Sequence, residues 1–558
     1  MAFLVLLVWI PIPFGSNRPL PWALLEVWVF LMAAVWLIKY ARGRVTLTEP
    51  FRQARPALIL FVLWLSYGLL QMMPLPVGVV AVLSPHTAAL HQQAHLAPRL
   101  AHLQLVANPV VRPLPSFPGL TTLGDRAPTG TEAQAVDTGQ AENVPDPSPS
   151  EDDHRVPGFA DRSAAAADTR SAVTTHAHSA RLSLDLSASI TAWLKSLAYV
   201  LLFALTLLLI DSTQKLKMLA IVLVLSGLGQ AVYGSLSLAM EGGGVASGSF
   251  INRNHYAAYL VLCLTVGIGL LIAMMGQGTG AGSWRHRVRH IGKLILSSRA
   301  PLRIFLAIMV IALVLTHSRM GNIAFFVSLL IAGTLALVLL KDMPRPVVIL
   351  ITSLVLIDIL IIGSWVGLEK VTERITQTNL ESEARDDFNL NSLRMWQDYP
   401  LFGAGAGSYY SVFPRYREGT TSGRFLVDHA HNDYLEFLTE YGLLGMLLPA
   451  GVVILALRNT ILVLRRRRSQ FAKGIGFAGL MAITAMLIHA TVEFNLHIPA
   501  YAATFMVILA TTWLARYLAS DRSTTVASSI SVHLAGTPAG KSALERLRTP
   551  KPKGGVIC

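Results

Sequence analysis

Apolar runs of nearly twenty residues, each with at most one formal charge, recur along this chain, as in Ile221–Met240, Tyr256–Met275 and Val347–Trp365. A helix rises about 1.5 Å per residue, so roughly 20 such residues cross a hydrocarbon core of about 30 Å. Only 14% of the 558 residues are charged, against about 25% in soluble proteins of ordinary composition. The fold class that follows is an all-α, polytopic membrane protein. Twelve spans are expected, at 1–13, 20–40, 57–73, 190–210, 216–239, 255–275, 302–317, 321–340, 346–366, 432–457, 474–491 and 499–518. The first is short, but it lacks the basic n-region and small-residue cleavage site of a signal peptide.

Lys and Arg set the orientation. Loops on one side hold 28 of the 46 basic residues, including Lys39 to Arg55, Arg285 to Arg303, the run Arg465–Arg468 and the tail from Arg516. The other side holds 18, of which 14 lie in two long loops where the positive-inside rule loses force. The basic side is therefore expected to be cytoplasmic, with loops 74–189 and 367–431 outside. The net charge of +14 is used by topology, and no recognition helix or aromatic-interleaved basic face accompanies it, so nucleic acid is not expected as a partner. Cys263 and Cys558 lie too far apart in topology to pair, and no zinc spacing exists.

The two outer loops differ in kind. Residues 107–180 are rich in Ala, Pro, Ser, Thr, Asp and Gly and cannot bury enough apolar surface to offset ordering entropy, so disorder is expected there and in the tail 519–558. Loop 367–431 contains Trp396, Phe402, Tyr409, Tyr410, Phe413 and Tyr416 and is expected to be ordered. Within it Leu380–Trp396 can form an amphipathic helix, with Leu390, Leu393 and Trp396 spaced to lie on a membrane surface and Pro400 stopping it.

Chemistry-bearing residues concentrate where that loop meets an apolar helix, in His429-Ala-His-Asn-Asp-Tyr-Leu-Glu436. Polar groups at such a boundary are costly unless water, protein partners or a polar substrate meet them. On a helix, His429 and Asp433, Asn432 and Glu436, and Glu436 and Glu440 would stand at i, i+4. A histidine oriented by a carboxylate is a plausible general base near pH 7; a helix N-terminus capped by Asn432 or Asp433 and simply hydrated accounts for the same residues. Arg253 and Arg319 stand at the outer ends of spans, placed either to clamp a pyrophosphate or to snorkel to lipid headgroups. Gly403-Ala-Gly-Ala-Gly407 lacks the flanking strand and helix of a nucleotide loop and reads as a tight turn. Asp358 is expected to pair inside the bundle. His489, Glu493 and His497 surround the outer end of the eleventh span, lining the same cavity or exposed to water.

Several of these stretches together resemble the bacterial O-antigen ligase/polymerase family. The resemblance rests on His431-Asn-Asp-Tyr-Leu-Glu-Phe-Leu-Thr-Glu-Tyr-Gly-Leu-Leu-Gly445, supported by Arg394-Met-Trp-Gln-Asp-Tyr-Pro-Leu-Phe-Gly403, by Ser318-Arg319, and by Gly248-Ser-Phe-Ile-Asn-Arg-Asn-His-Tyr256. It implies a GT-C-like, metal-independent glycosyltransferase on the periplasmic face of the inner membrane, needing no cofactor. The implied donor is a glycan on undecaprenyl pyrophosphate, and the implied acceptor is lipid A–core or another glycan. His431, Arg319 and Asp433 would form the catalytic set, with Arg253, Arg394, Asn432, Glu436 and His429 binding substrate. The implied organisation is helices 1–3 in 1–73, an outer loop in 74–189, helices 4–9 in 190–366, the catalytic loop in 367–431, helices 10–12 in 432–518 and a tail in 519–558. A repeat-unit polymerase uses the same donor. A transporter or flippase would instead show broken spans in matching halves, and no such pair is visible.

Overall fold

The structure is a computed structural model and describes residues 1–94, 179–242, 244–275, 300–339, 352, 386–418 and 427–518. The expected span 346–366 with Asp358, the tail, and nearly all of 107–180 lie outside these residues. Twelve helices frame the described parts: α1 (Ala2–Trp9), α2 (Pro19–Ala41), α3 (Arg55–Met72), α4 (Leu186–Leu209), α5 (Thr213–Glu241), α6 (Arg253–Met275), α7 (Ala300–Leu315), α8 (Arg319–Leu339), α9 (386–398), α10 (Asp433–Arg466), α11 (Gln470–His489) and α12 (Pro499–Tyr517). Eight of them are long and apolar enough to cross a membrane, and the protein is an all-α, multi-pass membrane protein. The segment 1–13 departs from expectation: its helix covers only Ala2–Trp9, about 12 Å of rise against a core of about 30 Å. Pro11 and Pro13 end it there, since proline supplies no N–H to continue the ladder.

The caps are readable in the residues. Asp185 accepts from the Ala188 N–H at 3.0 Å, Ser212 from Lys215 and Ser469 from Ala472, while Gly242 takes the left-handed conformation that closes α5. At the centre, α6 is buried almost along its whole length, from His255 to Ala273. It packs on α11 where Gly269 and Gly474 bring the two backbones together, an approach that any side chain at either position would block.

The helix α10 is too long for one span and does not run straight. Gly442 leaves helical geometry (φ 65°, ψ −179°), separating a short first segment from the apolar remainder. Breaking the helix frees the Thr439 and Glu440 carbonyls, which would be costly left unpaired. The glycine-rich run meets them: the Ala404 N–H donates to Thr439 O at 2.8 Å and the Gly405 N–H to Glu440 O at 3.0 Å. Gly403, Gly405 and Gly407 all have positive φ, and a side chain at 403 would collide with the Glu440 backbone. That run is therefore a backbone splint for α10, as its reading as a tight turn anticipates. From α3, Tyr67 donates to Phe402 O and Tyr441 O, and Gln71 donates to Phe402 O and Glu440 O.

Around the splint, 386–418 forms a small layer with its own core of Met395, Tyr399, Tyr409, Val412 and Phe413, which continues to Val427 and Ala430. Leu390 and Leu393 on α9 remain exposed. The two ends of loop 74–189 are pinned together: Leu75–Pro76 pairs antiparallel with Ser179–Ala180, and His91 Nε2 lies 3.0 Å from Arg181 O.

Candidate active site

The helix α10 begins at Asp433, not at His429. Asn432 is its N-cap, its Oδ1 accepting from the Tyr434 and Leu435 N–H groups at 3.1 and 3.2 Å. His429 and His431 therefore precede the helix, and the helical pairing expected of His429 with Asp433 does not form. His429 instead reaches forward to Glu436, with Nδ1 2.6 Å from Oε1. His431 has a φ of 51°, the left-handed region, which costs a non-glycine residue on the order of 1 kcal/mol.

Two carboxylate clusters result. In the first, Glu436 is buried and its Oε2 accepts the Ala430 N–H at 2.9 Å. Its Oε1 faces both His429 and His497, the latter with Nε2 at 3.3 Å. His497 places its other nitrogen 3.1 Å from Asp433 Oδ1, and the Leu496 N–H donates to Asp433 Oδ2 at 3.2 Å. Burial opposes a charge on His497, but Glu436 and Asp433 outweigh it and push its pKa up to about 9. His429, Glu436 and His497 also place three potential metal-ligating atoms within 4.8 Å of one another. Hydrogen bonds among these same groups already account for the arrangement.

The second cluster is centred on Glu493, in the turn that follows α11. Its carboxylate is 1% exposed. Asn254 Nδ2 donates to Oε1 at 2.5 Å, while Oε2 faces His431 Nδ1 at 3.4 Å and His255 Nε2 at 3.6 Å. Burial would raise the pKa of Glu493, but His255 and His431 hold it well below the usual carboxylate range. Phe494 organises the rings: His429 stacks on it at 4.0 Å, and His255 and His431 meet it edge-on at 4.6 and 4.9 Å. His429 and His431 remain about a quarter exposed, so the site is open to an incoming molecule.

The expected arginines stand at two helix heads and on α9. Arg253 is exposed at the head of α6, one residue before Asn254. Arg319 is exposed at the head of α8. The two heads are tied: the Ala246 N–H donates to Leu315 O at 3.0 Å, and Gly321 sits directly against Ala257. Arg394 on α9 pairs with Glu418 at 2.5 Å on the protein surface, while Asn389 of the same helix approaches Asn432 at 3.4 Å.

The sequence reading grouped His429, His431, Asn432, Asp433 and Glu436 and left Glu493 and His497 undecided between cavity and solvent. They line the site. Asn254, His255 and Phe494 received no role, although Asn254 and His255 sit inside the quoted stretch around Arg253.

Residues 304–450 match the family model described as O-antigen ligase. The matched stretch contains Arg319, Arg394 and the whole of His429 to Glu436; Arg253, Glu493 and His497 fall outside it. No curated protein matches the chain. The family match bears out the resemblance to O-antigen ligases and polymerases.

Proposed function

We propose that the protein transfers a glycan from undecaprenyl pyrophosphate to an acceptor hydroxyl at the periplasmic face of the inner membrane, as an O-antigen ligase acting on lipid A–core. The observation that carries this reading is His431: a half-open imidazole on a strained backbone, backed by a buried carboxylate, at the bundle edge where two arginine-headed helices begin.

In the proposed reaction the acceptor oxygen attacks the anomeric carbon of the donor sugar. The bond from that carbon to the pyrophosphate oxygen breaks, and the pyrophosphate leaves with the electron pair. His431 takes the hydroxyl proton as general base. Arg319 and Arg253 neutralise the growing phosphate charge, the task a divalent ion performs elsewhere, and guanidinium suits it because its planar fork engages two phosphate oxygens. A single displacement inverts the anomeric centre and requires neither metal nor ATP. Asn432 and Asp433 hold the loop-to-helix junction, Glu436 fixes His429, and Arg394 stands farther out, toward the glycan.

The test is transfer by purified protein from a lipid-pyrophosphate glycan, in the presence of chelator, to lipid A–core and to a second glycan in separate reactions. Transfer to lipid A–core supports the ligase. Transfer to glycan alone makes the protein a repeat-unit polymerase. Transfer to neither, with intact donor recovered, contradicts the reading.

A further inference from the structure

Glu493 contacts side chains from two other parts of the chain and has no role in the reaction as written above. Three observations give it one. A buried carboxylate is costly unless its lone pairs are met, and Oε1 is met by Asn254. Oε2 faces the nitrogens of two imidazoles, His431 at 3.4 Å and His255 at 3.6 Å. The Glu493 backbone is also tied to the histidine segment, because the Asp433 N–H is shared between Ala490 O at 2.9 Å and Glu493 O at 3.3 Å. Carboxylate and imidazole are thus set relative to each other by main-chain bonds as well as by side chains.

Resting on the glycosyl-transfer reading, we propose that Glu493 is the positioning residue of His431, fixing the tautomer and orientation that make it a base. The carboxylate accepts the Nδ1–H of His431. Nε2 then carries the lone pair and points away from Glu493, with the ring held edge-on by Phe494. As the imidazole takes the acceptor's proton, the Glu493 charge stabilises the cation, and the loose 3.4 Å contact tightens into a charge-assisted hydrogen bond. His255 shares the same oxygen from α6, and the buried His489 lies beyond on α11. These two imidazoles, Asn254 and His431 are among the polar groups around the carboxylate.

Glu493→Gln and Glu493→Asp separate positioning from packing. The glutamine keeps size and removes the charge, and its amide can turn either a donor or an acceptor toward His431. The expected result is a fall in kcat of about 10²-fold or more, a donor KM within about threefold of wild type, and an acid limb of the pH–rate profile moved to lower pH. The aspartate variant should recover part of the rate. A second readout needs no turnover: the pH dependence of His431 acylation by diethyl pyrocarbonate, followed by peptide mass spectrometry, should shift to lower pH in the glutamine variant. Unmoved acylation and an unmoved acid limb would overturn the proposal, whether or not activity fell. A shifted acylation profile in a protein that transfers no glycan would sustain the role of Glu493 and sink the glycosyl-transfer reading instead.

Discussion

The two histidine–carboxylate clusters are neighbours and share Phe494, yet they are built to different tolerances. Around Glu436 the contacts run from 2.6 Å to His429 and 2.9 Å to the Ala430 N–H up to 3.3 Å to His497, which is itself anchored on Asp433. Around Glu493, Asn254 donates at 2.5 Å, and the imidazoles of His431 and His255 stand at 3.4 and 3.6 Å. A saturated network of buried charges resists change of protonation and fixes a backbone. A loose pair beside a half-open ring has room to take up a proton and tighten. On the proposed reaction, the first cluster holds the loop on the helix and the second supplies the base.

The comparison breaks most readily at Glu436. Glu436→Ala removes the largest opposing charge on the His497 cation and should destabilise the fold by about 3 kcal/mol, since removing one partner of a buried pair leaves the other charge poorly compensated. A lowered thermal midpoint checks it, and an unchanged midpoint would mean that the tight cluster is not a brace. Next in size is Arg319→Lys. The charge remains but the planar fork is lost, so transfer should fall by about tenfold or more with membrane level unchanged. Near-normal transfer would reduce Arg319 to a residue that snorkels to headgroups.

A smaller effect follows from His497. Its folded pKa is raised to about 9 from 6.5, so its stabilising contribution is complete below about pH 6.5 and is lost as pH climbs through 9. The stability difference between wild type and His497→Gln should therefore shrink across that window. A difference that grows with pH would place the cation elsewhere. The smallest expected effect belongs to the long loop 74–189. Its two ends are held together by the Leu75–Pro76 pairing with Ser179–Ala180 and by His91 on Arg181. Replacing residues 110–178 by a short Gly/Ser linker should leave transfer intact, because closure entropy depends weakly on loop length. Lost transfer at normal membrane levels would make that loop a binding element.

The tight and loose clusters were not equally legible in the sequence. His429 through Glu436 stand out because polar residues crowd against an apolar run, and Asn432 is a cap by residue type alone. Glu493 and His497 are 62 and 64 residues from their partners, and nothing local says that the turn after α11 folds back onto the start of α10. The short α1 was visible in principle, since Pro11 and Pro13 close off the run. The break at Gly442 was not: a glycine in an apolar helix is common, and only its match to the Gly403–Gly407 splint makes it a hinge point of the fold.

The division of labour between the clusters is tested most directly by His431→Ala and His429→Ala, compared for transfer rate and thermal midpoint in the same membrane preparation. Removing a general base typically costs about 10²–10⁴-fold in rate. The account predicts that His431→Ala loses transfer on that scale, with its midpoint kept and the donor still bound. His429→Ala should retain more transfer and melt earlier, because it opens the Glu436 brace. An active His431→Ala beside an inactive, normally folded His429→Ala would contradict it and move the base to the tight cluster.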